Sequence, residues 1–93
     1  MAISTAEWTE QLRAEQRQLV KADRDIEEGW QRVRDQERRV QELMADGHDT
    51  RQAERLVELL KQTSLEWERH RVLIEQRVTY LRQQVEAGQP GGG

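Results

Sequence analysis

The chain has no cysteine and no phenylalanine, and its single proline lies near the end, at Pro90. Without cysteine there are no disulfides and no thiolate metal sites. Without proline before position 90, nothing of that kind interrupts a helix. Long apolar runs are also missing. No stretch approaches the roughly 18 residues of a membrane span, so no membrane-spanning segment is expected. Neither sign of charge dominates. The formal net charge is -3, both signs are mixed in each half, and there is no acidic or basic tail. The start, Met1-Ala2-Ile3-Ser4-Thr5-Ala6-Glu7, lacks the basic and apolar regions of a secretory signal, so a cytoplasmic location is expected.

Charge is abundant. Charged residues make up 35% of the 93 residues and hydrophobic residues 34%. Ordinary globular domains carry about 25% charged and about 45–50% apolar residues. Such a balance fits either disorder or long helices that bury one stripe, and periodicity decides between them. Leu12, Leu19, Ile26, Val33 and Val40 recur at every seventh position, which holds one seam against a partner helix. Trp8, Ala22, Gly29 and Leu43 form the adjoining row, interrupted by Glu15 and Gln36. Later in the chain Ala53, Leu60, Trp67, Ile74 and Leu81 repeat the pattern. Beside them run Val57, Val78 and Val85, interrupted by Ser64 and Arg71.

Start and stop signals agree with this pattern. Ser4 followed by Glu7 fits a capping box, and so does Asp49 followed by Gln52. Gly47 suits the left-handed position that ends a helix. The expected fold is therefore all-α, a two-helix antiparallel coiled-coil hairpin over residues 1–87. Its first helix covers about 5–45, its loop 46–49, and its second helix about 50–86. Gly88-Gln89-Pro90-Gly91-Gly92-Gly93 reads as a flexible glycine-rich tail. With equal rise on both sides of the loop, facing residues have numbers that sum to about 95. That places Ala22 level with Ile74, Gly29 level with Trp67, and Trp8 beside the end of the second helix. Gly29 would then leave room for the Trp67 ring.

Little in the sequence carries chemistry. There is no cysteine nucleophile, no Gly-x-Ser-x-Gly and no glycine-rich phosphate loop. No enzymatic activity and no cofactor are expected. The two histidines, His48 and His70, lie far apart in the chain. Glu66 shares a helix face with His70, but a metal site needs three or four protein ligands and none is expected. The simple reading is a partly buried His70 paired with Glu66 or Asp25. Arg13, Arg17 and Lys21 are spaced four apart and line one face, as a phosphate-contacting surface requires. Interleaved Glu10, Glu15, Asp25 and Glu75 argue against nucleic acid, and binding RNA or DNA through that row is the alternative reading.

The segment Gly47-His48-Asp49-Thr50, followed by Ala53, Leu56 and Leu60 and then by Trp67, His70, Arg71 and Ile74, resembles a group of small proteins of soil proteobacteria. The likeness covers roughly residues 25–75. That group is hairpin-like and has no assigned activity, so the resemblance implies the fold and no function.

What remains is apolar surface that one hairpin does not use. Leu56, Leu59, Leu73 and Tyr80 lie outside the seam rows, and Trp8 and Trp30 sit at its end and flank. These residues predict a protein partner at Trp8, Trp30, Leu59, Leu73 and Tyr80. The expectation is a non-catalytic structural or adaptor hairpin that pairs with itself as a homodimer, closing into a four-helix bundle. It would present its outer face to a further protein.

Overall fold

The computed structural model describes residues 2–88 and contains two helices, α1 over Thr5–Ala45 and α2 over Arg51–Ala87. They pack side by side as an antiparallel hairpin 70 Å long and 18 Å across. Of the expected tail, only Gly88 falls within the described residues; 89–93 lie outside them.

Each helix end has a physical cause. The Ser4 hydroxyl accepts from the Glu7 N–H at 3.2 Å, filling one of the donors that a first turn leaves free. At the other end of α1, Gly47 has φ +74°. Its N–H donates to the Met44 carbonyl at 3.1 Å, and the His48 N–H donates to Leu43 at 2.9 Å. This pair of bonds is the Schellman motif, which needs a residue free to adopt positive φ. The second capping box does not form as expected. Thr50 is the N-cap of α2 and makes no side-chain cap bond. Asp49 instead accepts from the Arg51 N–H at 3.1 Å and pairs with the Arg51 guanidinium. The loop is consequently 46–50, one residue longer than expected.

The buried seam is narrow. Ala22, Ile74 and Val78 form its centre, with Leu12 and Leu19 packed against them. Val33, Val57 and Leu81 are also buried. Ala22 and Ile74 thus meet as the spacing predicts. The register elsewhere differs. A Cβ built on Gly29 would lie 2.8 Å from the Ser64 Oγ, so Gly29 faces Ser64 and leaves no room meant for Trp67. Ser64 is only 2% exposed, whereas Trp67 is 40% exposed. The small pair lets the two backbones approach closely, and the large ring is displaced to the edge of the seam. Ser64, which looks like an interruption in a hydrophobic row, is a point of close contact.

Polar pairs across the hairpin hold this register. Arg71 bonds Asp23 on α1, Arg77 pairs with Glu15 at 3.3 Å, and Trp30 donates its indole N–H to Glu68 at 3.0 Å. The open end is tied where the Thr5 hydroxyl donates to the Gly88 carbonyl at 3.1 Å. Gly88 is therefore part of the hairpin and not of a flexible tail. The closest approach, Gly29 with Ser64, is offset by about two residues, or roughly 3 Å, from the equal-rise expectation, while the side-chain pairs fall on both sides of it.

Candidate functional site

The exposed large apolar residues are concentrated on α2. Leu59 and Leu73 are 59% and 62% exposed, and Leu56, Tyr80 and Trp67 are also open to solvent. At 3.6 residues per turn, 56, 59, 63, 66, 70, 73, 77 and 80 fall along one face of a helix. This face lies beside the buried row of Val57, Ser64 and Val78. Its sequence is Leu56, Leu59, Thr63, Glu66, His70, Leu73, Arg77 and Tyr80, so apolar groups sit at both ends and polar ones in the middle. Trp67 borders it, with its ring edge-on to His70 at a centroid distance of 5.9 Å. A shallow groove lined by Gly29, Leu60, Thr63, Ser64 and Trp67 opens on the same side.

The five residues expected to meet a partner do not form one patch. Leu59, Leu73 and Tyr80 share the α2 face. Trp8 joins them, because its ring meets Tyr80 edge-to-face at 6.0 Å. The expectation that the hairpin itself leaves Trp8 uncovered is therefore wrong. Trp8 is half-buried, because Tyr80 reaches it from a neighbouring turn. Trp30 lies apart: Glu68, which holds its indole, falls on the opposite side of the Ser64 row from His70. Leu65, Val72 and Val20 are exposed apolar residues that the rows did not bring into the expected site. Leu65 and Val72 are seven apart, a spacing visible in the sequence but off both flanking rows.

The basic row of Arg13, Arg17 and Lys21 is exposed along α1. Lys21 lies 3.9 Å from Asp25. Arg13 and Arg17 border an exposed hollow with Gln16 and Val20. Elsewhere, the strongest electrostatic pairs serve the fold. The Arg71 guanidinium is held above its ordinary pKa, first by its bond to Asp23 and then by Glu75. The Asp49 carboxyl is held below its usual value by the Arg51 side chain and then by the Arg51 N–H. His70 is exposed beside Trp67, and Glu66 bonds Arg69 at 3.0 Å instead of His70. Among the described residues, no group of three or more acidic or histidine side chains is placed to hold a metal ion. No helix among them is long and apolar enough to cross a membrane.

No family model, curated protein or solved structure matches the chain, so what this surface does is read from its geometry alone.

Proposed function

We propose that this hairpin is a non-catalytic structural or adaptor protein that acts by helix–helix contact and associates with itself. The observation that carries this reading is the α2 face, where Leu56, Leu59, Leu73 and Tyr80 are each at least 43% exposed in a single chain. Isolated exposed leucines are ordinary on protein surfaces. Apolar pairs at helical spacing near both ends of one helix face are a pattern that a second helix covers. A two-fold pair uses one such row twice, which makes a homodimer the simplest partner. The resulting bundle has four helices and leaves the charged outer faces free for another protein.

The test is truncation of the row. Leu73 is 62% exposed, so covering it recovers about 1.5 kcal/mol in each copy, or about 3 kcal/mol per dimer. Leu73→Ala should then raise the dimer dissociation constant by roughly 100-fold in sedimentation velocity. Val72→Ala, on a residue that is also exposed but off this face, should leave it within a few-fold. Equal effects of the two substitutions would remove the α2 face as the site of self-association.

A further inference from the structure

The dimer proposed above has several arrangements open to it, and the side chains of the two helices favour one. Resting on that reading, we infer that the two copies pack α2 against α2 in antiparallel fashion, about a two-fold axis that crosses α2 midway between Glu66 and His70.

The α2 face is symmetric in spacing about that point. An antiparallel second copy therefore brings Leu56 to the partner's Tyr80 and Thr63 to the partner's Leu73. Leu59 meets the alkyl stem of the partner's Arg77, whose head group is held by its own Glu15. At the axis Glu66 meets the partner's His70, twice over, so the polar middle of the row is matched and not merely buried. The same axis crosses α1 near Asp25, because Asp23 lies against Arg71 and Gly29 against Ser64. There Lys21 meets the partner's Glu28, again twice. Asp25, on the axis itself, has Lys21 beside it at 3.9 Å. Glu66 thus meets a hydrogen-bonding imidazole on α2 and Lys21 meets a carboxylate on α1, while the two Asp25 side chains face each other across the axis with a Lys21 beside each.

The area is sufficient. The row from Leu56 to Tyr80 runs about 36 Å and the hairpin is 18 Å across, giving roughly 650 Å² per copy and about 1,300 Å² in total, within the range of about 1,200–2,000 Å² found for specific interfaces. Rotating the second copy about the helix axis instead would lay the apolar α2 face on the α1 flank of Gln18, Lys21, Asp25 and Arg32. That leaves charged groups against leucines and no match at either helix.

The chain has no cysteine, so one introduced thiol gives a unique label. Glu54 is exposed and lies on the side of α2 turned away from the proposed contact, where it borders a hollow with Val40, Met44 and Val57. Spin-labelled Glu54→Cys should remain a dimer by light scattering, with the two labels about 40 Å apart by pulsed electron resonance, since each is fourteen residues from the axis. A dimer with labels near 20 Å would overturn the antiparallel α2 pairing while leaving self-association standing. So would labels about 30 Å or about 50 Å apart, which correspond to the neighbouring registers half a heptad away. Loss of the dimer on labelling, with the unmodified chain still dimeric, would place Glu54 in the contact and overturn the arrangement. A monomeric unmodified chain would remove both the arrangement and the reading beneath it.

Discussion

Replacing Gly29 with alanine sets two effects of similar size against each other. A mid-helix glycine costs about 1 kcal/mol relative to alanine, so the substitution should stabilise α1 by that amount. The new Cβ, however, would stand 2.8 Å from the Ser64 Oγ, closer than such atoms sit in folded proteins. Ser64 is 2% exposed, so its hydroxyl has little room to turn away. Forcing a side chain off its preferred rotamer costs about 0.5–1.5 kcal/mol, which cancels most of the gain. Gly29→Ala alone should therefore leave stability nearly unchanged. Removing the hydroxyl lifts the conflict, because the Ser64 Cβ would be 3.9 Å away, an ordinary contact. The double variant Gly29→Ala/Ser64→Ala should then be more stable than the parent by about 1–1.5 kcal/mol, with a favourable coupling of about 1 kcal/mol. Gly29→Leu should lower the melting temperature, since no rotation of Ser64 clears a branched side chain. Urea unfolding of the four chains at one matched concentration gives the cycle. If Gly29→Ala delivers its full gain alone, and the two changes add to within about 0.5 kcal/mol, Gly29 does not face Ser64 and the register is wrong.

Two further outcomes probe the loop. Gly47→Ala should cost about 1 kcal/mol, because at φ +74° the penalty is in the backbone and nothing lies within 4 Å of the added Cβ; D-alanine at the same place should restore stability, and an unchanged midpoint for the L-residue would contradict the Schellman end. The Asp49 carboxyl should titrate below the ordinary carboxylate value by NMR, and Arg51→Gln should bring it back up. Its folded pKa is depressed, so this pair contributes above the unfolded pKa and the contribution disappears as pH falls through the folded one. An Asp49 titration unmoved by Arg51→Gln would discard the pairing.

Much of the hairpin was legible because the seven-residue rows, Ser4 and Gly47 each act locally. Leu12, Leu19 and Val33 mark the seam by spacing alone, and Gly47 ends α1 through its own backbone freedom. The register was not legible to the same degree. Counting outward from the loop assumes that both helices start level, and the Gly29–Ser64 contact departs from that count by two residues. Ranking residues by hydrophobicity then misassigned the centre. Trp67 belongs to the apolar row, but its size holds helices apart, and Ser64 beside it permits the closer approach. Pairing small with small across the hairpin would have found Gly29 opposite Ser64. The candidate face was legible on α2, where Leu59, Leu73 and Tyr80 keep helical spacing. It was not legible at Trp8, because a level-by-level register does not register how far an aromatic ring reaches toward Tyr80.

The central claim is that one hairpin leaves an apolar α2 face that a second copy covers. Light scattering coupled to size exclusion, on the unmodified chain over a range of micromolar concentrations, measures this directly. The account predicts a mass of about 22 kDa, twice the 11.0 kDa of one chain, falling toward the single-chain value on dilution. A monodisperse 11.0 kDa species at every concentration would contradict it.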